Sequence, residues 1–379
     1  MQDKNITVGF AEKYTRDDLV DFLNYVFGFN GRDTDFVNLL PKIYKEKYEP
    51  CKKNYIIEED GRIRAAVGSF KRDMDVLGER LSVCGIGNVA VHPRSRSSGY
   101  MKILMKKAID DMISGGADIA DLGGLRHRYG YFSYELAGMK YSFEIDGTCI
   151  RHCFGGSEFK KLDFIGVEED SVFKDEIVSL HAKKPLHFIR NAEDFVDIAH
   201  SWGRELFAIV DGDRFVGYFI GELDELTLVS ESDLYCVVRN YIERFGNVTL
   251  FVPTHEMERA SALFKICAEC KTVGDQNYSI LNYRRTLSAF MKLKASVCPM
   301  IDGSLVVEIN GVAGKENLKI HVLDGKTQVV PTDDLPDVVL EHKQAVSFFF
   351  SAFSPEREID PLARAWFPLP LCIPTADHV

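Results

Sequence analysis

The sequence lacks any long apolar segment. Its longest apolar runs fall far short of the ~20 residues that a membrane-spanning helix needs, so no transmembrane helix is expected. Residues 1–5 lack the apolar core of a signal peptide. The nine cysteines are an odd number scattered over 379 residues, which fits reduced thiols better than a disulfide framework. The expected location is therefore the cytoplasm.

Basic residues are also in short supply. The chain has 46 Lys and Arg against 57 Asp and Glu, a net charge of −11. Nucleic-acid recognition needs a basic face, so we expect neither nucleic acid nor a membrane as a partner. An acidic chain suits a cationic substrate through electrostatic steering, although acidic charge also serves solubility alone.

Several ligand signatures are missing as well. No Gly-x4-Gly-Lys-Ser/Thr loop occurs, and no Gly-x-Gly-x-x-Gly fingerprint follows the first predicted strand. Cys267 and Cys270 form a lone pair without a second pair or a nearby histidine. We therefore expect no metal site.

The chain has enough length for two or three domains. Residues 1–150 show strands, a hairpin turning at Asp60-Gly61, and helices, which together predict a mixed α/β domain. Residues 151–285 echo this plan, with a second turn at Asp211-Gly212, and are interpreted as a diverged copy. Residues 286–379 predict a third, small α/β domain that ends in an apolar, proline-rich tail. The predicted fold class is α/β (α+β).

The stretch "NVAVHPRSRSSGYMKILM", residues 88–105, combines a strand, a basic serine-rich loop and an amphipathic helix that runs to about Ser114. A helix N-terminus presents unpaired N–H groups and the positive end of the helix dipole, and small residues let a ligand approach them. The loop therefore suggests a pyrophosphate site. A basic surface turn that caps the helix is the alternative, and spacing alone favours neither.

This stretch resembles motif A of the GNAT acetyltransferases, R/Q-x-x-G-x-G/A after a V-A-V strand. The resemblance implies acetyl-CoA as co-substrate, with its pantetheine arm on the strand and its pyrophosphate on the loop and helix start. Met101 stands where a second small residue is usual, as in the Eis-like branch of the family. The implied cofactor-binding residues are Val89, Ala90, Val91, Arg96, Ser97, Ser98, Gly99, Tyr100 and Met101.

A second segment, residues 128–138, resembles the Y-G-R-F-G-Y-x-x-A stretch of Eis-like enzymes. Tyr129 matches the first tyrosine, which implies the role of general acid, while Ser133 replaces the usual glycine. In this branch the terminal carboxylate serves as base, and Val379 would take that role by position. Asp377 and His378 compete with it.

The resemblance further implies two tandem GNAT-like domains followed by a domain similar to sterol carrier proteins. It also implies a closed homo-oligomer, with a hexamer as one candidate. Trp366 and Phe348–Phe350 offer material for interfaces, although a buried core helix explains the phenylalanines equally well.

The expected function is acetyl transfer from acetyl-CoA to a primary amine. Aminoglycosides, polyamines, lysine side chains and small amines all remain open as acceptors. The alternative is a non-catalytic protein that binds acyl-CoA or an apolar ligand and keeps a vestigial acetyltransferase domain.

Overall fold

A computed structural model describes residues 5–29, 31, 34–358 and 360–379. The strands of these residues are β1 (Ile6–Phe10), β2 (Asn54–Glu59), β3 (Arg62–Val76), β4 (Glu79–Val91), β5 (Ile119–Leu122), β6 (Glu135–Ile145), β7 (Asp163–Gly166), β8 (Leu186–Phe188), β9 (Leu206–Asp211), β10 (Arg214–Ile220), β11 (Glu225–Leu228), β12 (Val248–Pro253), β13 (Glu269–Ile280), β14 (Gly303–Gly311), β15 (Gly314–Leu323), β16 (Lys326–Pro331) and β17 (Val338–Glu341).

The α-helices lie between the strands and after them. They are α1 (Arg16–Gly28), α2 (Phe36–Leu39), α3 (Pro41–Tyr44), α4 (Tyr100–Ser114), α5 (Arg126–Tyr129), α6 (Gly147–Phe154), α7 (Lys174–His181), α8 (Phe195–Ala199), α9 (Leu234–Phe245), α10 (Met257–Phe264), α11 (Tyr283–Val297), α12 (His342–Phe350), α13 (Pro355–Glu358) and α14 (Pro361–Trp366). None of the helices in the described ranges is long and apolar enough to cross a bilayer.

The largest sheet has the strand order β1-β2-β3-β4-β5-β13-β6-β12, and β8 pairs with β3. β4 and β5 run parallel, while the other pairs along this order are antiparallel. β13 lies between β5 and β6, so a strand from the predicted second domain completes the sheet of the first. The two halves of the chain therefore share backbone hydrogen bonds.

Short sequence signals determine where strands of this sheet turn and where they end. The hairpin predicted at Asp60-Gly61 joins β2 to β3, and both residues have positive φ angles, 51° and 76°. The sequence of residues 140–152 is typical of a strand throughout, but β6 ends at Ile145. Asp146 accepts hydrogen bonds from the N–H groups of Thr148 and Cys149, and this N-cap starts α6 instead.

Two smaller sheets complete the fold, with the orders β11-β10-β9-β7 and β16-β15-β14-β17. The predicted mixed α/β class is confirmed. The sheet β16-β15-β14-β17 and α12 share a hydrophobic core with residues of β3, β4, β5, β6 and β13 in the large sheet. Trp366 and Phe348–Phe350 are fully buried in that core, so these residues are part of the chain's own interior and not interface material.

Candidate functional site

Strand β4 leaves its parallel neighbour β5 halfway along its length. Val83–Ile86 pair with Ile119–Leu122, after which the register of β4 against β3 shifts. Asn88, at this point, has a φ of 42°, which marks a β-bulge that turns the strand. The segment Val89–Val91 still lies beside β3 on one side. On the other side, no strand among the described residues pairs with it. Its backbone groups on that side can bind an extended ligand.

The loop after β4 leads directly into α4. Ser97 and Gly99 both adopt left-handed conformations, with φ of 69° and 79°. α4 begins at Tyr100 without a side-chain cap and ends at Ser114, which confirms the predicted helix. The N–H groups of a helix's first turn have no acceptor inside the helix, and the dipole adds partial positive charge. This end of α4 suits an anion.

A cavity of about 670 Å³ joins the bent strand, the loop and the helix start. Its lining includes these predicted residues: Val89, Val91, Arg96, Ser97, Gly99, Tyr100 and Met101. Ala90 instead points into the core on the other face of β4, and the exposed Ser98 is not part of the lining. Arg128 and Phe132 also line the cavity, which brings the second predicted motif to the first.

Tyr129 ends the short helix α5. Its side chain is 7% exposed and packs in the apolar cluster that includes Val89, Val91 and Met101. Tyr129 does not line the large cavity itself. Burial raises the pKa of its phenol, and the neighbouring Arg128 opposes that shift. The hydroxyl group therefore carries its proton at neutral pH, as a general acid requires.

The C-terminal tail returns to the middle of β4. A Cβ atom built on Gly85 would lie 2.3 Å from Cγ2 of Val379, and one built on Gly87 would lie 3.2 Å from its carboxyl carbon. Both glycines face the tail because residues i and i+2 of a strand share a face. The terminal carboxyl group thus lies beside the residue that precedes the Asn88 bulge.

Three side chains hold the last residues in place. The Lys42 ammonium group donates to the carbonyl oxygens of Ala376 and His378. The Trp202 indole Nε1–H also donates to His378, at 3.1 Å. Arg190 forms a bidentate pair with the Asp377 carboxylate, at 2.7 and 3.1 Å. We call Lys42, Trp202 and Arg190 the tail clamp.

Asp377 and His378, the two residues that compete with Val379 for the role of base, both have hydrogen-bond partners within the protein. Asp377 is buried, and the Arg190 guanidinium lowers its pKa although burial opposes that shift. Arg190 also binds the buried Glu225. The His378 ring donates from Nε2–H to the carbonyl oxygen of Ile373, 3.1 Å away, and burial lowers its pKa. Among the described residues, none forms an ion pair with the terminal carboxylate of Val379, so that carboxylate remains available to accept a proton.

Two further acidic residues of the first domain, Asp121 and Glu135, lie on β5 and β6 of the large sheet. Asp121 is buried, pairs with Arg72 and accepts from the amide of Gln276 at 2.9 Å. Glu135 pairs with Arg126. Both carboxylates already have an arginine partner, so neither is offered to an incoming amine.

A second cavity, of about 290 Å³, opens beside the terminal residue. Its walls come from α3, the middle of β3, the segment after β8, and the tail, and they include both Asp377 and Val379. It offers room for an acceptor next to the terminal carboxylate. We call it the acceptor cavity.

Sequence reasoning missed the tail clamp, Arg128 and the glycine pair. Gly85-Ile86-Gly87 carries a readable signal, because glycine inside a strand often marks a close approach of another backbone. The clamp residues carry no comparable signal, since they are distant from the tail along the chain.

Comparison with known proteins gives a family match for the first part of the chain. Residues 9–137 match the family model described as an acetyltransferase (GNAT) domain. No curated protein matches the chain.

Solved structures resemble the whole chain at low identity. A probable N-acyltransferase of unknown function from Enterococcus faecalis is 14% identical with a TM-score of 0.66, over 99% of this chain and 100% of that one. A GCN5-related N-acetyltransferase from Anabaena variabilis is 15% identical with a TM-score of 0.67, over 98% of each chain. Eis1 from Mycobacterium abscessus is 12% identical with a TM-score of 0.64, over 99% of this chain and 100% of that one.

At these identities the likeness concerns the fold, whereas the family match concerns the domain that holds the bulge, the loop and Tyr129. The predicted enzyme class is confirmed at that level: the chain carries a GNAT acetyltransferase domain over residues 9–137.

Proposed function

We propose that the chain is an acetyl-CoA-dependent N-acetyltransferase that acts on a primary amine. The observation that carries the proposal is the position of the Val379 carboxyl group, next to Gly87 and one residue from the β4 bulge. A proton acceptor thus lies beside the strand segment that family members use for the acyl donor. A protein with a vestigial first domain would have no need of this arrangement.

The residues of the first cavity fit the co-substrate. A Cβ on Gly99 would meet no atom within 4 Å, so the space in front of the uncapped helix start is open to a pyrophosphate. The side chains of Arg96 and Lys102 line the same cavity and supply positive charge. Acetyl-CoA, when bound there, supplies the activated acetyl group.

The chain's own residues would then move protons. The Val379 carboxylate takes a proton from the incoming ammonium group, which otherwise titrates near pH ~10. The neutral amine then attacks the thioester carbonyl of the acetyl donor, which backbone N–H groups of Val89–Val91 on the unpaired side polarise. The Tyr129 hydroxyl, kept protonated by burial, gives its proton to the departing thiolate.

The test is release of free CoA thiol from acetyl-CoA against a panel of amines. Turnover with any amine, abolished without acetyl-CoA, supports the proposal. CoA binding in calorimetry without turnover of any amine would instead support the non-catalytic alternative.

Other finer points stay proposals. They are the domain division at residues 150 and 285, the likeness of residues 286–379 to sterol carrier proteins, a homo-oligomer of up to six chains, and a cytoplasmic location. Light scattering at micromolar concentration tests the assembly.

A further inference from the structure

The charged side chains on the walls of the acceptor cavity differ in whether they have a partner of opposite charge. Each acidic side chain on the wall already has a cationic partner. Asp73 pairs with Arg80, Asp377 pairs with Arg190 at 2.7 Å, and Asp194 has Lys47 at 3.8 Å. Asp73 and Asp377 are closely paired, whereas Asp194 shares Lys47 with Asp197, which lies nearer that lysine at 2.8 Å.

Two lysines on the same walls have no ion-pair partner within the described ranges. Lys53 and Lys71 line the cavity, and neither takes part in an ion pair with any residue that the structure describes. Lys53 is only partly exposed, and burial lowers the pKa of its ammonium group. Asp194 and Glu49 oppose this shift from beyond ion-pair distance. The Nζ atom of Lys53 lies 5.9 Å from the centroid of the Tyr48 ring. A partly buried cation without a direct counter-ion is unfavourable, and an anionic ligand would relieve that cost.

The remaining cations on the wall are already occupied. Arg72 binds Asp121 and the carbonyl oxygen of Asp377, and Lys42 holds the tail. Besides the loosely paired Asp194, the cavity therefore presents the Val379 carboxylate and the ammonium groups of Lys53 and Lys71, none of which forms an ion pair among the described residues. This arrangement is bipolar, unlike the acidic pocket that the net charge of −11 suggests.

We infer that the acceptor is an amine that also carries an anionic group, with the amine at the Val379 carboxylate and the anion at Lys53 and Lys71. This inference rests on the proposed acetyl transfer and names its substrate class. A carboxylate and a phosphate share the required chemistry. Polyamines and aminoglycosides lack it, because their remaining groups are cationic or neutral.

The experiment compares amines that differ only in the distal group. Pentylamine, 5-aminopentanoate and cadaverine carry no charge, a carboxylate and an ammonium group at that end. Ethanolamine, O-phosphoethanolamine and ethylenediamine form the matching phosphate series. We expect the anionic member of at least one series to exceed its neutral and cationic partners in kcat/KM by about tenfold or more, as a charged hydrogen bond would give. The series that responds identifies the anion.

Lysine variants tie the preference to the cavity. Lys53→Met and Lys71→Met should each lower the ratio of kcat/KM for the anionic amine to that for the neutral amine. Lys52→Met is the matched control, because Lys52 is adjacent in the chain but pairs with Glu49 outside the cavity. The control should keep the wild-type ratio.

Calorimetry of each amine with the CoA-loaded protein gives a readout that does not need turnover. Equal binding of anionic, neutral and cationic amines would overturn the inference, as would a preference for diamines or a ratio unchanged in the Lys53 and Lys71 variants. Failure of every amine to release CoA thiol would count against the proposed function instead, while selective binding of the anionic amine would still support the substrate class.

Discussion

The carboxyl carbon of Val379 lies 3.2 Å from the place where a Cβ atom of Gly87 would stand. Nothing larger than glycine fits between strand and tail here without a shift of one of them. The last residue of the chain is therefore packed against the first domain's sheet, beside the bulge that opens the cofactor cleft.

Gly85→Ala should displace the tail. Its new methyl group would lie 2.3 Å from Cγ2 of Val379 and 2.7 Å from Nη2 of Arg72, distances that require movement. We expect kcat to fall by about tenfold or more, as misplacement by about 1 Å can cost 100-fold, while CoA affinity stays near that of the wild type.

Gly9→Ala is the matched control for that variant. Gly9 also lies in a strand, but a Cβ there would meet no atom within 4 Å. Steady-state kinetics and CoA calorimetry on both variants make the comparison. Wild-type kcat in Gly85→Ala would show that the tail's position does not matter for turnover.

Gly99→Asp should weaken CoA binding. The position is left-handed, with φ of 79°, and a Cβ would point into open space at the helix start. A carboxylate there would repel the pyrophosphate, so we expect at least about a tenfold loss of affinity. Gly99→Asn is the control, because asparagine tolerates the same backbone conformation and has the same size without the charge. Equal CoA affinity of the two variants in calorimetry would contradict an electrostatic role for this loop.

Tyr129→Phe tests the general acid. The substitution keeps the buried ring, which packs with Val89 and Met101, and removes the hydroxyl group alone. General acid catalysis typically contributes ~10²–10⁴-fold, so kcat should fall within that range with little change in thermal stability. If turnover stays at the wild-type level, the ring serves packing only.

Short-range signals were enough to predict much of the fold. The Asp60-Gly61 turn, the strand before Pro93 and the helix from Tyr100 to Ser114 each depend on neighbours in the chain. The charge of the acceptor cavity could not be predicted, because Lys53, Lys71 and Asp377 come together from distant segments. The insertion of β13 between β5 and β6 is equally non-local, since no periodicity within β13 specifies its partners.

The Lys42 side chain predicts a pH effect on stability. Burial lowers its pKa in the folded protein to about 7, although Asp377 opposes the shift, whereas an unfolded lysine titrates near ~10.4. Between these values the unfolded chain holds a proton that the folded chain lacks. The unfolding free energy contributed by Lys42 therefore rises with pH across this window and is constant below it.

Lys42→Met removes that contribution. In urea unfolding at pH 7, 8 and 9, the stability of the wild type minus that of the variant should increase with pH, by at most about 1.4 kcal/mol per unit. Other titrating groups are common to both proteins and cancel in the difference. A difference that stays constant from pH 7 to 9 would show that Lys42 remains charged where it holds the tail.

The final prediction concerns the terminal carboxylate itself. The tail clamp binds residues 376–378, so a change after His378 should leave the rest of the tail anchored. Adding one glycine after Val379 would move the carboxylate by up to ~3.5 Å and keep every side chain. Deleting Val379 would shift it the other way, towards the clamp. We expect both variants to bind CoA normally and to lose most of kcat, since a base must lie within hydrogen-bonding reach of the proton it removes.

Val379→Ala separates the carboxylate from the side chain. It trims the Cγ2 methyl that contacts Gly85 but keeps the length of the chain, so kcat should remain much closer to that of the wild type. Wild-type turnover in both length variants would mean that another group takes the proton. Loss of activity in the length variants together with near-normal activity in Val379→Ala would identify the carboxylate, rather than the packing of the last side chain, as the part of the tail that catalysis needs.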